Sequence, residues 1–299
     1  MNRRFFLRQS SALTAGIASL GWTSLPRIFS NPPTYKLGLQ LFTVRDAMAA
    51  DPEGTLKKLK KMGYEDFEIY GYDSIKDEIY GYPIARFKQL LDQLELTTTS
   101  GHYGFSDYFD ATTEELRAFV DQCIHTAKRL ESAYITWPWV HPDRRNPEGF
   151  SKLADLLNTI GQQITQAGLG FAYHNHGYEF EDWNGTTGHD ILMAKTNSEW
   201  VKLQMDLYWV VHSGRTPKEL VAAHPGRYVM WHIKDMDKIT RDYTELGNGS
   251  IDYTAILPDP KIAGLEYYYL EQGGNFAVNS MKSVATSIRY FKKHLVQQF

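Results

Sequence analysis

Short β-like runs alternate with longer segments of helical period from residue 35 to the C-terminus. Eight runs of the first kind occur, spaced by roughly 30 residues, which is the length of one strand–helix unit. The predicted strands span residues 36–42, 66–70, 97–102, 133–137, 169–175, 201–206, 228–233 and 265–271.

The segments between these runs are amphipathic helices by pattern. Apolar side chains recur at three- and four-residue spacing in one such segment, at Leu116, Phe119, Val120, Cys123, Ala127 and Leu130. Thr112 and Glu115 precede them at the spacing of a capping box, so we expect a helix to begin there. A second long helix is expected to begin at Pro147.

Eight strand–helix units predict an α/β fold, a (β/α)8 TIM barrel formed by residues 32–299. A doubly wound open sheet is the alternative fold. The chain has no Gly-x-Gly-x-x-Gly turn after its first predicted strand, which disfavours a nucleotide-binding protein of that type.

Residues 1–31 differ in character from the rest of the chain. Arg3 and Arg4 precede the uncharged apolar stretch 11–25, a pattern that predicts an export signal of the twin-arginine type with a linker, and hence a periplasmic protein. The alternative is a disordered basic tail. A membrane span needs about 20 apolar residues, and this stretch is shorter and interrupted by Gly16 and Gly21, so we expect no stable membrane anchor.

Composition and charge exclude a nucleic acid partner and a disulfide framework. The 299 residues are 42% hydrophobic and 22% charged, with a net charge of −3. No extended basic block is present, so we expect no nucleic acid partner. The single cysteine, Cys123, excludes an intramolecular disulfide framework.

Catalytic residues of such barrels lie at the carboxyl ends of the strands, and six of the eight predicted strands end in a titratable or metal-ligating residue. These residues are Glu68, His102, His174, Asn175, His176, Glu179, Asp206, His232, Lys234, Asp235 and Glu271. Carboxylates that converge on one barrel mouth repel one another unless a cation neutralises them. The pattern therefore predicts a metal site.

Our preferred ligands come from four successive strands: Glu179, Asp206, His232 and Glu271. His174 is the main alternative to Glu179, because it lies closer to the predicted end of its strand. Carboxylates combined with imidazole suit one divalent ion, Mn, Co, Zn or Mg, and exclude a thiolate site.

The chain resembles the sugar phosphate isomerase/epimerase family of the xylose-isomerase-like TIM-barrel superfamily. The resemblance rests on residues 38–46 (GLQLFTVRD), 173–180 (YHNHGYEF), 205–209 (MDLYW), 232–235 (HIKD) and 270–272 (LEQ). It implies one divalent metal held by a Glu, an Asp, a His and a Glu from the last four strands. The chain departs from the family at strand five, where His174 stands in the place of the Glu that many epimerases carry.

The function that this resemblance implies is a metal-dependent sugar, keto-sugar or polyol isomerase or epimerase. The metal polarises a carbonyl oxygen while a base removes the adjacent proton. We expect His176 or His174 to be the base and Lys234 to steady the oxyanion. We expect substrate contacts from Glu68, His102, Asn175, Trp209 and Gln40.

Two alternatives remain open. The same site could belong to a lyase or dehydratase, since related barrels act on inososes, dehydroshikimate and keto-glycosides. A non-catalytic periplasmic carbohydrate-binding barrel is the alternative outside the enzymes. A three-metal nuclease of the superfamily is disfavoured, because the chain offers too few ligands and no basic face. Barrels of this type often pair, so we expect a homodimer.

Overall fold

The computed structural model describes residues 35–299, and the predicted export segment 1–31 lies outside them. Eight parallel strands close into a barrel in which each strand pairs with its neighbours in sequence and the first pairs with the last. The strands are β1 Gly38–Gln40, β2 Asp66–Ile69, β3 Thr97–His102, β4 Tyr134–Trp137, β5 Gly170–His174, β6 Lys202–Asp206, β7 Met230–Ile233 and β8 Tyr267–Leu270. The (β/α)8 fold predicted from the sequence is confirmed.

Each barrel strand lies inside one of the predicted strands. The largest difference is at β1, which ends at Gln40 although the hydrophobic run continues to Phe42. The Gln40 side chain accepts a hydrogen bond from the backbone N–H of Phe42 and starts a 3-10 turn over Leu41–Val44. A side chain that satisfies the backbone locally thus ends the strand early.

The helices surround the barrel and begin where their caps predict. Thr112 and Glu115 form the expected reciprocal capping box of Thr113–Leu130, and Asn146 caps Pro147–Gln166. The other helices are Arg45–Ala50, Pro52–Met62, Ile84–Gln93, Gly188–Lys195, Leu207–His212, Pro217–Ala223, Tyr253–Ile256, Pro260–Ala263 and Ser280–His294.

The hydrophobic core lies between the barrel and its helices. Phe67, Phe171 and Trp231 project from strands into this layer and are fully buried. Strands such as β2, β4 and β7 are buried at every position, which is why exposed polar residues do not alternate along them in the sequence. The barrel lumen, by contrast, contains many buried polar side chains near its carboxyl end.

Two small sheets that the sequence pattern did not predict follow β2 and β7. Tyr72–Asp73, Glu78–Ile79 and Tyr82–Pro83 form an antiparallel sheet, and Asp235–Met236 pairs with Tyr243–Thr244. Their strands are two residues long, too short for an alternating pattern to emerge. Both extend from carboxyl ends of barrel strands, the end at which the catalytic residues of such barrels lie.

No helix within residues 35–299 combines the length and the apolar character needed to cross a bilayer.

Candidate metal and substrate site

Four side chains meet at the carboxyl ends of β5 to β8. His174 and Asp206 are the last residues of β5 and β6, His232 lies within β7, and Glu271 follows β8 directly. The parallel register pairs His232 with Asp206, which brings these residues to one level. Each of the four offers a ligand atom within 4.8 Å of the others, and we call them the ligand cluster.

The polar atoms of the ligand cluster are buried and lie close to one another. His232 Nδ1 lies 2.5 Å from Glu271 Oε2, and His174 Nε2 lies 3.8 Å from Asp206 Oδ2. His174 Nδ1 is buried and has no hydrogen-bond partner in the described chain, which is rare unless an ion, a water or a ligand completes the atom. Two imidazole nitrogens and two carboxylate oxygens also form a normal donor set for a divalent transition ion. The residues therefore fit a metal.

Lys234 brings a positive charge into the ligand cluster. Its Nζ lies 2.6 Å from Asp206 Oδ2 and 2.8 Å from Glu271 Oε2. Burial disfavours the charged amine, but these two carboxylates raise the pKa of Lys234 above its ordinary value. Burial also acts against the Glu271 carboxylate, yet Lys234 and His232 hold the pKa of Glu271 well below its ordinary value.

A second group of polar side chains surrounds Glu68, and we call it the Glu68 network: Gln40, Glu68, Ser100, His102 and Gln204. Glu68 accepts hydrogen bonds of 2.7 Å from Gln40, Ser100 and Gln204. His102 Nε2 lies 3.0 Å from Glu68 Oε2 and 2.8 Å from Gln204 Oε1. The predicted substrate-contacting residues Gln40 and Glu68 are thus fully buried and bound to protein groups.

The Glu68 network also fixes His232. Glu68 Oε2 lies 2.6 Å from His232 Nε2, and the other ring nitrogen, Nδ1, faces the ligand cluster at 2.5 Å from Glu271 Oε2. Metal-binding histidines are commonly held this way by a carboxylate on the far nitrogen. Burial opposes the imidazolium form, but Glu68 and Glu271 raise the pKa of His232 to about 9.

Glu179, the preferred strand-five ligand from the sequence, is held away from the ligand cluster. It lies in the 3-10 turn Tyr178–Phe180 and is fully buried. Its carboxylate accepts hydrogen bonds from the Tyr173 hydroxyl at 2.5 Å and the His176 backbone N–H at 2.9 Å. Burial raises the pKa of Glu179 to about 7. The strand-five position of the ligand cluster is occupied by His174, the alternative that the sequence left open.

Asn175 and Trp209, predicted as substrate contacts, also support Asp206. Asn175 Oδ1 accepts from the Asp206 backbone N–H at 3.1 Å, and Asp206 Oδ1 accepts from the Trp209 N–H at 3.2 Å. Asp206 thereby caps the helix Leu207–His212 through Oδ1, and its other carboxylate oxygen, Oδ2, faces the ligand cluster.

His176 stands beside His174, with ring centroids 4.8 Å apart. Its ring stacks on Tyr178 at 5.2 Å, and its Nδ1 lies 3.3 Å from the Tyr178 hydroxyl. Burial, reinforced by the charge of Lys234, lowers the pKa of His176 well below its ordinary value. This environment therefore favours the neutral form of the His176 imidazole.

A cavity of about 580 Å³ opens onto these groups, and we call it the mouth cavity. His102, His174, His176, Lys234 and Glu271 line it. Aromatic side chains, including Tyr70, Tyr72 and Tyr243, complete its wall. Its volume lies within the range of small-molecule sites, roughly 300–1,000 Å³.

The sequence reasoning missed Ser100, Gln204 and Tyr243. Gln204 precedes Asp206 by two residues on one strand, so the two-residue alternation of a strand already placed both on the same face. Ser100 carried no comparable signal, because its role depends on the neighbouring strand that carries Glu68.

The closed parallel barrel of eight strands is a TIM barrel, and it carries a His/Asp/Glu cluster at its carboxyl end. The xylose isomerase-like TIM barrel model matches residues 56–289, and the chain belongs to this family.

Known relatives differ in their reactions. Inosose dehydratase from Clostridium botulinum is 30% identical over 129 residues, an alignment that covers 37% of this chain and 42% of that protein. A sugar phosphate isomerase/epimerase from Parabacteroides distasonis superposes with a TM-score of 0.76 at 23% identity, over 88% of this chain and 99% of that one. The zinc-bound IolI protein superposes with a TM-score of 0.70 at 16% identity, over 88% and 99% respectively. At these identities the structures show a shared fold.

Proposed function

We propose that this protein is a divalent-metal-dependent isomerase or epimerase of a keto sugar or related polyol, acting by removal of a proton next to a carbonyl. The ligand cluster carries the proposal, since its four residues offer ligand atoms within 4.8 Å of one another and two of them, His174 and Glu271, line the mouth cavity. Membership of a family that includes sugar isomerases and dehydratases supports it.

The donor set favours some metals over others. Two imidazoles with two carboxylates suit Zn, Mn or Co, whereas Mg prefers oxygen ligands alone. When bound, such an ion polarises a substrate carbonyl and makes the neighbouring C–H bond more acidic. The proposed ligands are His174, Asp206, His232 and Glu271, with Glu68 orienting His232.

His176 is the proposed proton acceptor. Its ring lines the mouth cavity and lies next to the ligand cluster. Lys234 lines the same cavity with its ammonium group, so it can donate a hydrogen bond to a substrate oxygen that gains negative charge. His102 also faces the cavity and offers a polar contact to hydroxyl groups.

Elimination of a β-substituent is the second candidate reaction. Epimerisation by two carboxylates requires a pair of free acidic groups, yet Glu179 is engaged by Tyr173 and His176. The similarity to inosose dehydratase also favours elimination.

Metal analysis and proton exchange test the proposal. The purified protein is expected to contain near one divalent ion per chain by inductively coupled plasma mass spectrometry. Asp206→Asn and Glu271→Gln are expected to lose the ion, whereas the exposed Glu199→Gln is the matched control and retains it.

Keto sugars and inososes are then incubated with the protein in D2O and followed by NMR. Deuterium next to the carbonyl of an isomerised product supports isomerisation, and an unsaturated product supports elimination. A protein without metal, even after incubation with Mn, Co or Zn, and without exchange would overturn the proposal in favour of a carbohydrate-binding barrel.

We also propose that residues 1–31 direct export through the twin-arginine route, on the strength of Arg3, Arg4 and the apolar stretch 11–25. Replacing both arginines by lysine is expected to leave the protein in the cytoplasmic fraction. Unchanged periplasmic recovery would contradict this assignment.

A further inference from the structure

A second cavity adjoins the mouth cavity. It measures about 510 Å³, and its lining includes Trp139, Arg145, His176, Tyr178 and Trp209. Trp139 and His176 line both cavities, so these two side chains form a shared wall. Each volume lies in the range of small-molecule sites, roughly 300–1,000 Å³.

A short series of ring contacts joins the ligand cluster to the second cavity. The rings of His174 and His176 lie 4.8 Å apart, and those of His176 and Trp209 lie 5.9 Å apart. A molecule that reacts beside His174 and extends past His176 therefore reaches the second cavity.

The walls of this cavity are suited to a ring. Trp139, Tyr178 and Trp209 are large aromatic side chains, and Trp139 is 38% exposed although it lies at the mouth of a folded barrel. Aromatic faces pack against the C–H faces of sugars and against other aromatic rings. An aromatic wall beside a polar cluster thus favours a substrate that has a polar reacting part and a second part that contains a ring.

Arg145 adds hydrogen-bond donors to the second cavity. Its guanidinium carbon lies 3.8 Å from the ring centroid of Tyr178 and 5.4 Å from that of Trp139. Its Nε donates to the Val140 carbonyl at 2.9 Å, and among residues 35–299 no carboxylate forms an ion pair with it. The terminal nitrogens keep their capacity to donate to ligand oxygens. Trp209 Nε1, buried and without a hydrogen-bond partner in the described chain, is a further donor.

We propose that the second cavity is a subsite for a second ring, and that the substrate is a glycoside whose reacting sugar carries the carbonyl group. The reacting sugar lies at the ligand cluster, while the attached ring packs between Trp139, Tyr178 and Trp209 and accepts hydrogen bonds from Arg145. This inference rests on the proposed function, since it assumes that the reacting sugar lies at the ligand cluster.

Calorimetric titration of the metal-containing protein with matched ligands tests the inference. The ligands are methyl glycosides of glucose and galactose, the corresponding disaccharides, and the 4-nitrophenyl glycosides. At least one ligand with a second ring is expected to bind about tenfold more tightly than its methyl glycoside, since aromatic packing and one hydrogen bond add to affinity. Comparison of the disaccharide and nitrophenyl ligands distinguishes a sugar from an aromatic second ring.

Trp139→Ala and Arg145→Ala are both expected to remove this advantage. Arg145→Ala is expected to leave methyl glycoside affinity within about twofold, because Arg145 lines the second cavity and not the mouth cavity. Arg117→Ala, on an exposed helix face, is the matched control. Equal affinity for ligands with one and two rings, or an advantage that survives both variants, would overturn the inference. Metal content measured on the same samples separates this failure from failure of the proposed function, which the absence of metal would indicate.

Discussion

The ligand cluster and the Glu68 network lie side by side in the barrel lumen, yet they differ in how their polar atoms are satisfied. Around Glu68, both carboxylate oxygens have several donors from neighbouring strands. In the ligand cluster, the two carboxylates share the Lys234 ammonium group, and His174 Nδ1 has no hydrogen-bond partner in the described chain. A fully hydrogen-bonded network stabilises and orients its members, whereas a buried group with an unpartnered atom is suited to bind a further ligand.

His232 connects the two groups, because one ring nitrogen contacts Glu68 and the other belongs to the ligand cluster. The comparison therefore predicts that substitutions in the ligand cluster abolish metal binding, while substitutions around Glu68 weaken it or affect stability alone.

His174→Ala is expected to have the largest effect. Loss of a direct ligand should weaken metal binding more than about 100-fold, since loss of an outer partner alone costs about 10- to 100-fold. Glu179→Gln is the matched comparison and should retain the metal, measured by mass spectrometry and chelator competition. If His174→Ala retained the metal and Glu179→Gln lost it, the result would support Glu179 as the strand-five ligand, as preferred from the sequence.

Glu179 should make the stability of the protein depend on pH. Its pKa is raised from 4.5 to about 7 in the folded state, so the neutral form favours folding. The stabilisation is present below pH 4.5 and is lost as the pH rises through about 7, a change of about 3 kcal/mol.

Urea unfolding between pH 5 and 8 measures this dependence. The stability of the wild type relative to Glu179→Gln should fall with rising pH across this window. A constant difference between the two proteins would contradict the assignment of a neutral buried carboxyl group.

Glu68→Gln should weaken metal binding about 10- to 100-fold without abolishing it, because His232 remains but loses the carboxylate that orients it. Chelator competition measures this change. Glu266→Gln, whose carboxylate accepts from Tyr134, is a control at a different hydrogen bond and should bind metal as the wild type does. Unchanged metal affinity in Glu68→Gln would show that the Glu68 network does not contribute to metal binding by the ligand cluster.

Ser100→Ala should have the smallest effect. Glu68 would lose one of its donors but keep Gln40 and Gln204, so we expect a loss of about 1 kcal/mol in the free energy of unfolding. Metal content should not change. Loss of metal from this variant would show that the Glu68 network does more than support His232.

Much of the fold was predictable because the relevant signals are local. The eight strands are short, largely buried runs at regular spacing, and Thr112 with Glu115 marks a helix start within four consecutive residues. The end of β1 was less predictable, since Gln40 ends the strand through its own side-chain hydrogen bond.

The sequence by itself determined the barrel and the set of residues at its mouth, because hydrophobic period and strand ends are properties of neighbouring positions. Only the tertiary structure places His174, and not Glu179, beside Asp206, His232 and Glu271. The turn after β5 directs the Glu179 carboxylate to Tyr173 and the His176 backbone, whereas His174 remains on the strand beside Asp206 and His232. That choice depends on side-chain direction and on contacts between strands distant in sequence, which no local pattern encodes.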